Sequence, residues 1–420
     1  MTEVTIIIPV YNGSRWIDEC FQSIVNQTYK TKFQVSVYND GSQDNSLELI
    51  EKWRTAFLER DIDLCVTGHN DQSPRGVGWS KNKAVERSAG QFLCFLDIDD
   101  IMDKDRLLKQ YQAAQAQDNV IVGCRFHREP VGSTERYTRW ANNLPHGKLM
   151  TQIYTSHGPT VIMPTWFCSR SVFDKVGGFD EGGMGVPEDL IFFYKHLDLG
   201  GTLMRIDEDL LMYRYHQTSA TFSVKEETIW NIRLEHLQKQ VLSVLSEYTI
   251  WNAGRQGRKF FRSLSTDNQN KVKYFCDVDL KKIQKGYYTF EESKIKPKPK
   301  IPIVHFTKAT PPFIICLKLD MTDGEFEKNL ASMKLTEVDK IVTIPQSSWD
   351  PVSYKVEMKI FSSSKAVESE MLVNDQNGQI EVAEDQIIVQ LKTYNGIDID
   401  QRGYSIKEIL LVISDLYFIS

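Results

Sequence analysis

Apolar positions along this chain alternate between two spacings from its first residues onward. Continuous β-branched and aromatic runs at 4–8 (VTIII), 33–38 (FQVSVY), 62–67 and 91–96 (QFLCFL) have the texture of strands buried on both faces. Between them the spacing lengthens to three and four. Trp16, Ile17, Cys20, Phe21, Ile24 and Val25 fall on one face of a helix that Ser14 is placed to cap. Further helices are expected over about 44–59 and 77–88. This order predicts a largely parallel sheet with helices on both faces. Strand candidates at 119–124, 160–167 and 202–206 and a helix near 187–199 extend it, and 225–247 reads as one long helix.

The pattern then starts again. YTIWN (248–252), KVKYFC (271–276) and FIICLKL (313–319) read as strands of a second, smaller Rossmann-like α/β unit, with a Gly-containing turn and a helix after the first. KIKPKPKIP alternates Lys and Pro, which suits an extended polyproline-type loop. From about Val338 the texture changes to short strand-like runs with one apolar helix near 406–415. The expected division is therefore 1–224, a connecting helix 225–247, a second domain 248–337 and an unassigned tail 338–420.

Composition narrows the picture without deciding it. The 420 residues carry a net charge of −6, with 41% hydrophobic and 25% charged residues, as in a folded water-soluble protein. Mild acidity argues against a nucleic-acid binder held mainly by phosphate contacts. Seven dispersed cysteines without a CxxC pair read as reduced core thiols. No run of 18 apolar residues occurs and the first strand begins at Val4, so no membrane span or leader is expected and a cytoplasmic protein is.

In open α/β sheets, ligands bind outside the carboxyl ends of the strands. The first strand ends in Pro9-Val10-Tyr11-Asn12, the second in Asn39-Asp40-Gly41-Ser42 and the fourth in Asp97-Ile98-Asp99-Asp100. Asp40-Gly41-Ser42 alone reads as a turn with a helix cap. The triple acid is harder to explain so, because clustered carboxylates repel unless a cation neutralises them. Mg2+ or Mn2+ takes such oxygen ligands and bridges them to phosphates.

Together IIIPVYN, YNDGSQDNS, FLDIDD and GGFDEG…PED resemble the signature of the family 2, GT-A-fold glycosyltransferases, over about residues 4–335. The resemblance implies a GT-A domain, an activated UDP-sugar donor, with N-acetylglucosamine the sugar, and a divalent metal. Carried over by position, Pro9 and Tyr11 border the nucleobase, and Asp40 accepts from the uracil N–H. Lys81 and Asn82 match a basic-plus-Asn pair near the donor; Lys81 also reads as a solvated helix face. Asp97 and Asp99 hold ribose and metal, with Asp99 or Asp100 the direct ligand. Asp189, beside Glu188, takes the position of the general base in an inverting displacement onto an acceptor hydroxyl. Acids there also suit a helix N-terminus, whose dipole is expected to lower the pKa of Asp189. His216 falls where family members carry a residue near diphosphate or metal, and a lone His also reads as structural. Arg136, Arg139, Trp140 and Trp166 could line an acceptor groove, with the bland reading of a core Trp preferred.

In the second unit, Asn252-Ala253-Gly254-Arg255-Gln256-Gly257 follows a strand, with Asp277 and Asp279 at the end of the next. This is the context of a dinucleotide turn with Asn252 in place of its first glycine, so close phosphate approach is doubtful. An NAD-dependent oxidoreductase is disfavoured on that ground. The other class kept in view is a nucleotide-sugar-binding or scaffolding protein without turnover.

Overall fold

The computed structural model describes residues 2–317 and 322–335, with the backbone of 361–362, 365–366 and 410–412. Eight strands form the first sheet: β1 (Val4–Val10), β2 (Phe33–Asp40), β3 (Asp63–His69), β4 (Phe92–Phe95), β5 (Ile101–Met102), β6 (Val120–Glu129), β7 (Phe167–Ser169) and β8 (Thr202–Arg214). Their spatial order is β3-β2-β1-β4-β7-β6-β8-β5. The run β3-β2-β1-β4 is parallel, as is β6 with β8, while β7 and β5 pair antiparallel with their neighbours. The central strand shows why its sequence is continuously apolar. Ile7 packs with Leu93 and Phe95 into one core, and Ile6, Ile8 and Val10 pack into the other.

Several elements differ from the sequence expectation, each for a local reason. The first helix is Ile17–Val25, and Ser14 does not cap it; its N–H donates to Asp44 Oδ2 at 3.1 Å. The expected helix 44–59 divides into Ser46–Lys52 and Arg54–Glu59. At 160–167 Pro164, which lacks an N–H, sits in a single 3-10 turn (Met163–Thr165), and the strand forms only from Phe167. β8 runs on to Arg214 through the exposed acids Asp207, Glu208 and Asp209, which hide it from a hydrophobic pattern. The helix expected over 225–247 is Glu226–Leu237, followed by a π turn at Gln238–Leu242.

The second sheet holds β9 (Tyr248–Trp251), β10 (Val272–Asp277), β11 (Tyr287–Thr289), β12 (Lys300–His305) and β13 (Phe313–Ile315) in the order β11-β12-β10-β9-β13. All but β11 run parallel to their neighbours. The end of the Lys-Pro stretch is therefore strand β12 rather than loop. Leu410–Val412, inside the expected helix 406–415, pairs instead as a strand with Phe313–Ile315; the rest of the tail expectations lie outside the described residues. Trp230, Leu234 and Leu237 join Tyr154 and Phe192 of the first unit to Tyr248, Ile250 and Phe261 of the second in one continuous core. All seven cysteines are free. Among the described residues, no helix is long and apolar enough to cross a membrane.

Candidate active site

The carboxyl ends of β1, β2 and β4 open side by side, because Val10 is in register with Asn39 and Ile7 with Phe95. The exits of β1 and β2 are sewn together. Asn12, in the left-handed region at φ 51°, donates its N–H to Ser42 Oγ (2.9 Å) and accepts from the N–H of Gln43 (2.8 Å). This holds Tyr11 44% exposed at the mouth. Pro9 is the last but one residue of β1, paired with Tyr38.

Asp40 is buried, and much of its carboxylate is spent on the protein. Oδ1 accepts from His69 Nε2 (2.8 Å) and the Arg75 N–H (3.0 Å), and Oδ2 accepts from the Gly76 N–H (2.8 Å). His69 Nδ1 accepts from the Asp71 N–H, which assigns the ring proton to Nε2. Asp40 thus fixes the segment entering the helix Val77–Glu86. His69, at the end of an ordinary-looking strand, carries no sequence signal for this part.

The acids after β4 separate by depth. Asp99 Oδ2 meets His216 Nε2 at 2.7 Å, and both side chains are about one-fifth exposed, at 18% and 21%. His216 is steadied by Thr218 Oγ1 (2.8 Å) and by the Trp16 ring, 5.5 Å between centroids. Asp100, expected as an alternative metal ligand, is fully buried beneath them. Its Oδ1 accepts from the Arg214 N–H (2.9 Å), while Oδ2 is sealed without a hydrogen-bond partner. Burial and the charges of Asp99 and Asp97 push the Asp100 carboxyl well above the usual range. Asp97 Oδ1 is likewise buried with no hydrogen-bond partner, and Lys81 Nζ stands 3.6 Å away.

Two orphaned carboxylate oxygens beside an Asp–His pair form a site short of positive charge. Oxygen-rich donors with one imidazole suit a hard divalent ion. Among the described residues no three His, Cys, Asp or Glu side chains converge into a complete metal cage. Asp99 and His216 are the two donors here whose chemistry and exposure suit such an ion.

Lys81 is not on a solvated helix face. It is 2% exposed, and its Nζ lies 3.2 Å from Glu188 Oε1 and 3.1 Å from Met163 Sδ. Burial works against its charge, but Asp97, Glu188 and Asp189 outweigh that and hold the ammonium above its ordinary value. Asn82, expected near the donor, is turned to a different task. Its amide donates to Phe179 O (3.0 Å) and Glu181 Oε1 (2.8 Å) and accepts from the Phe179 N–H (2.9 Å), clamping the Gly-rich stretch before Glu188. Gly78 packs against the same stretch so closely that a Cβ would stand 2.0 Å from Asp180 O.

Glu188 and Asp189 open the helix Glu188–Asp198 behind Pro187. Asp189 Oδ1 accepts from the Leu190 N–H at 2.7 Å. Its carboxyl is not lowered as the helix dipole suggested. Burial first, then the neighbouring charge of Glu188, push it up to about 7 against the opposing pull of Lys81.

Comparison with known proteins bears on this constellation. The sequence model described as "Glycosyl transferase family 2" matches residues 5–177. Residues 5–177 are thus similar to the family 2 glycosyltransferases. An uncharacterized glycosyltransferase, EpsJ of Bacillus subtilis (strain 168), is 26% identical over 253 residues, 58% of this chain and 69% of that protein. A poly(ribitol-phosphate) β-N-acetylglucosaminyltransferase, TarS of Staphylococcus aureus (strain Mu50), is 33% identical over 108 residues, 26% of this chain and 18% of that protein. The crystal structure of S. aureus TarS 1–349 with UDP-GlcNAc superposes with a TM-score of 0.44 and 20% identity, covering 63% of this chain and 71% of that one. Glu188 and His216 lie beyond the matched stretch and are brought to it by the fold, through Lys81 and Asp99, with Asp189 beside Glu188.

Within the matched stretch Trp166 is core and not an acceptor surface: it is fully buried and its Nε1 donates to Val161 O at 2.7 Å. Arg136, Arg139 and Trp140 share the helix Glu135–Asn143, where Arg139 pairs with Glu135 (3.9 Å) and Trp140 packs on both cores. In the second unit, the turn at 252–257 is closed by its own side chains. Asp277 Oδ2 accepts from the Ala253 N–H (2.9 Å) and Lys282 Nζ (2.8 Å), and Asn252 Oδ1 accepts from the Gly254 N–H (2.7 Å). Asp279 caps the helix Leu280–Lys285.

Proposed function

We propose that the chain transfers a sugar, N-acetylglucosamine, from a UDP-sugar to an acceptor hydroxyl in a single inverting displacement that uses Mn2+ or Mg2+. The observation that carries this reading is the meeting, across Lys81, of a charge-deficient acid cluster (Asp97, Asp99, Asp100, His216) with a carboxyl poised near neutrality at Asp189. Support for the sugar comes from the stretches RGVGWSKNKAV, STERYTRW and GPTVIMPTWFCSR. They resemble a β-1,3-N-acetylglucosaminyltransferase-like protein. The name of the matched TarS agrees.

In this reading Pro9 and Tyr11 border the uracil. Asp40, with about four acceptor positions on its carboxylate and three spent, retains one for the uracil N–H. Asp99 and His216 hold the ion, and Asp97 faces ribose and diphosphate with Lys81 beside it. A bound divalent ion offsets the charge that grows on the leaving diphosphate. Asp189 accepts the proton from the attacking hydroxyl, a task suited to a carboxyl near 7. Glu188 and Lys81 act on the charge of that carboxyl in opposite directions, and Asn82 and Gly78 seat the stretch that leads to it.

Calorimetric titration of UDP and UDP-N-acetylglucosamine with and without Mn2+, on wild type and Asp99→Ala, tests this. Metal-dependent binding lost in the variant is the expected result. Absence of binding in wild type overturns the reading, and binding without turnover on any acceptor returns it to a sugar-nucleotide binder.

A further inference from the structure

The buried arginines near the site are spent on the protein, with one exception. Arg106 makes bonds of 2.8–2.9 Å to Gln110, Phe95 O and Pro164 O. Arg205 grips Asp207 (2.7 and 2.9 Å) and Ala141 O (2.6 Å). Arg214 donates to Asp99 O (2.9 Å) and Glu19 (2.6 Å). Arg128, near the end of β6, is 7% exposed, yet its Nε is sealed without a partner and its guanidinium makes one long bond, 3.4 Å to Arg214 O. Among the described residues no carboxylate lies within ion-pair distance of it.

Leaving a buried cation so weakly paired is costly, so the geometry asks for an anion from outside. The guanidinium carbon sits over the Tyr213 ring, 3.6 Å from its centroid, which holds the group in place. Its surroundings belong to the active site. The Arg128 charge is felt at Asp100, Tyr213 and Tyr137, and Tyr137 also feels Asp189. The carbonyl it meets is that of Arg214, whose N–H donates to Asp100 Oδ1 and whose guanidinium donates to Asp99 O, so Arg128 stands beside the acid cluster.

We propose that Arg128, held by Tyr213, is a subsite for a phosphate-type oxyanion that the reacting molecules bring into the crevice. A planar fork matches two phosphate oxygens at once. Two sources carry that chemistry: the diphosphate of the donor and a phosphate borne by the acceptor. The inference rests on the glycosyl-transfer reading for its setting, not for its test.

The full chain, as wild type, Arg128→Met and Arg128→Lys, is titrated calorimetrically in two arms. One arm uses UDP with Mn2+. The other uses glycerol 3-phosphate with saturating UDP and Mn2+, with glycerol as the uncharged control. Affinity is expected to fall at least about tenfold in Arg128→Met in one arm, with partial recovery in Arg128→Lys, which keeps the charge but loses the fork. Loss in the UDP arm identifies the donor as the source; loss in the glycerol 3-phosphate arm identifies the acceptor. Wild-type affinity in both arms overturns the proposal. Should Arg128→Met fail to melt cooperatively, Arg128→Lys carries the test, and unchanged affinities in it overturn the proposal equally. A wild type that binds no UDP sinks the transferase reading. Glycerol 3-phosphate, titrated alone, then still decides the subsite, and no binding in wild type overturns it.

Discussion

Lys81 Nζ lies 3.2 Å from Glu188 Oε1 and 3.6 Å from Asp97 Oδ1, tying the helix Val77–Glu86 to the first turn of Glu188–Asp198 and to the exit of β4. One cation therefore serves acids that arrive 16 and 107 residues later in the chain. Replacing it by Met keeps the length and removes the charge. Uncompensated buried carboxylates remain, so Lys81→Met is expected to lose about 3 kcal/mol in urea unfolding. Lys81 also pulls the Asp189 pKa down, so in the variant the pH profile of kcat/KM moves to higher pH. A stability loss with an unmoved profile separates packing from this electrostatic part.

With Asp189 as the base, as proposed, the reaction has a pH dependence with a definite sign. A base raised to about 7 is protonated below that pH, so kcat/KM climbs as pH rises through about 7. Stability runs the other way. The folded carboxyl holds its proton where the unfolded one has released it, so this contribution is fully present below the ordinary Asp pKa. It is lost as pH rises towards 7. Asp189→Asn removes both trends and lowers turnover by about 100- to 10,000-fold, with UDP affinity kept. Steady-state rates and melting temperatures from pH 5 to 9 check the pair. A variant that turns over normally assigns the base elsewhere.

The part of this site that sequence reveals is the part built from strand ends. Asp97, Asp99 and Asp100 follow a buried apolar strand, so the sequence puts acids at that strand end, though not the turn of Asp100 into the interior. What sequence conceals depends on contacts between distant segments. Ser80, Lys81 and Asn82 are three consecutive polar residues, all buried, because Phe179, Glu181 and Glu188 cover that face. Nothing within the helix announces this. The Asp189 carboxyl failed as an expectation for a related reason: a dipole is local and legible, whereas the burial that outweighs it is a tertiary fact. β8 escaped in part because Asp207 and Asp209 sit in a strand interior, answered there by Arg125, Arg205, His127 and His146.

Gly78 offers a test of how closely the helix Val77–Glu86 must seat the stretch before the base. An alanine methyl would overlap Asp180 O at 2.0 Å, so the 180–183 backbone has to move. Gly78→Ala is expected to cost about 1–3 kcal/mol. Displacing the base by about 1 Å costs on the order of 100-fold in kcat. UDP affinity should stay at the wild-type value, since the proposed nucleobase end lies at Asp40 and the β1 and β2 exits. A fall in affinity without a fall in kcat would place the stretch at the nucleotide instead.

The second sheet carries the outline of a dinucleotide site without the vacancy such a site needs. Phosphate binding at a strand-to-helix turn depends on free backbone N–H groups. Here the Ala253 N–H is taken by Asp277 and the Gly254 N–H by Asn252, with Lys282 neutralising Asp277 at 2.8 Å. A bound diphosphate would meet a carboxylate already in its place. NADH is therefore expected to leave the melting temperature of the wild type unchanged. Asp277 also accepts from the N–H groups of Val278 and Asp279, so Asp277→Ala strands three amides and an ammonium and is expected to cost about 3 kcal/mol. Because the second sheet shares one core with the helix Glu226–Leu237, that loss should appear in the melting of the whole chain. NADH stabilisation of the wild type would instead show that the turn opens to phosphate, and would return the second unit to the list of ligand sites.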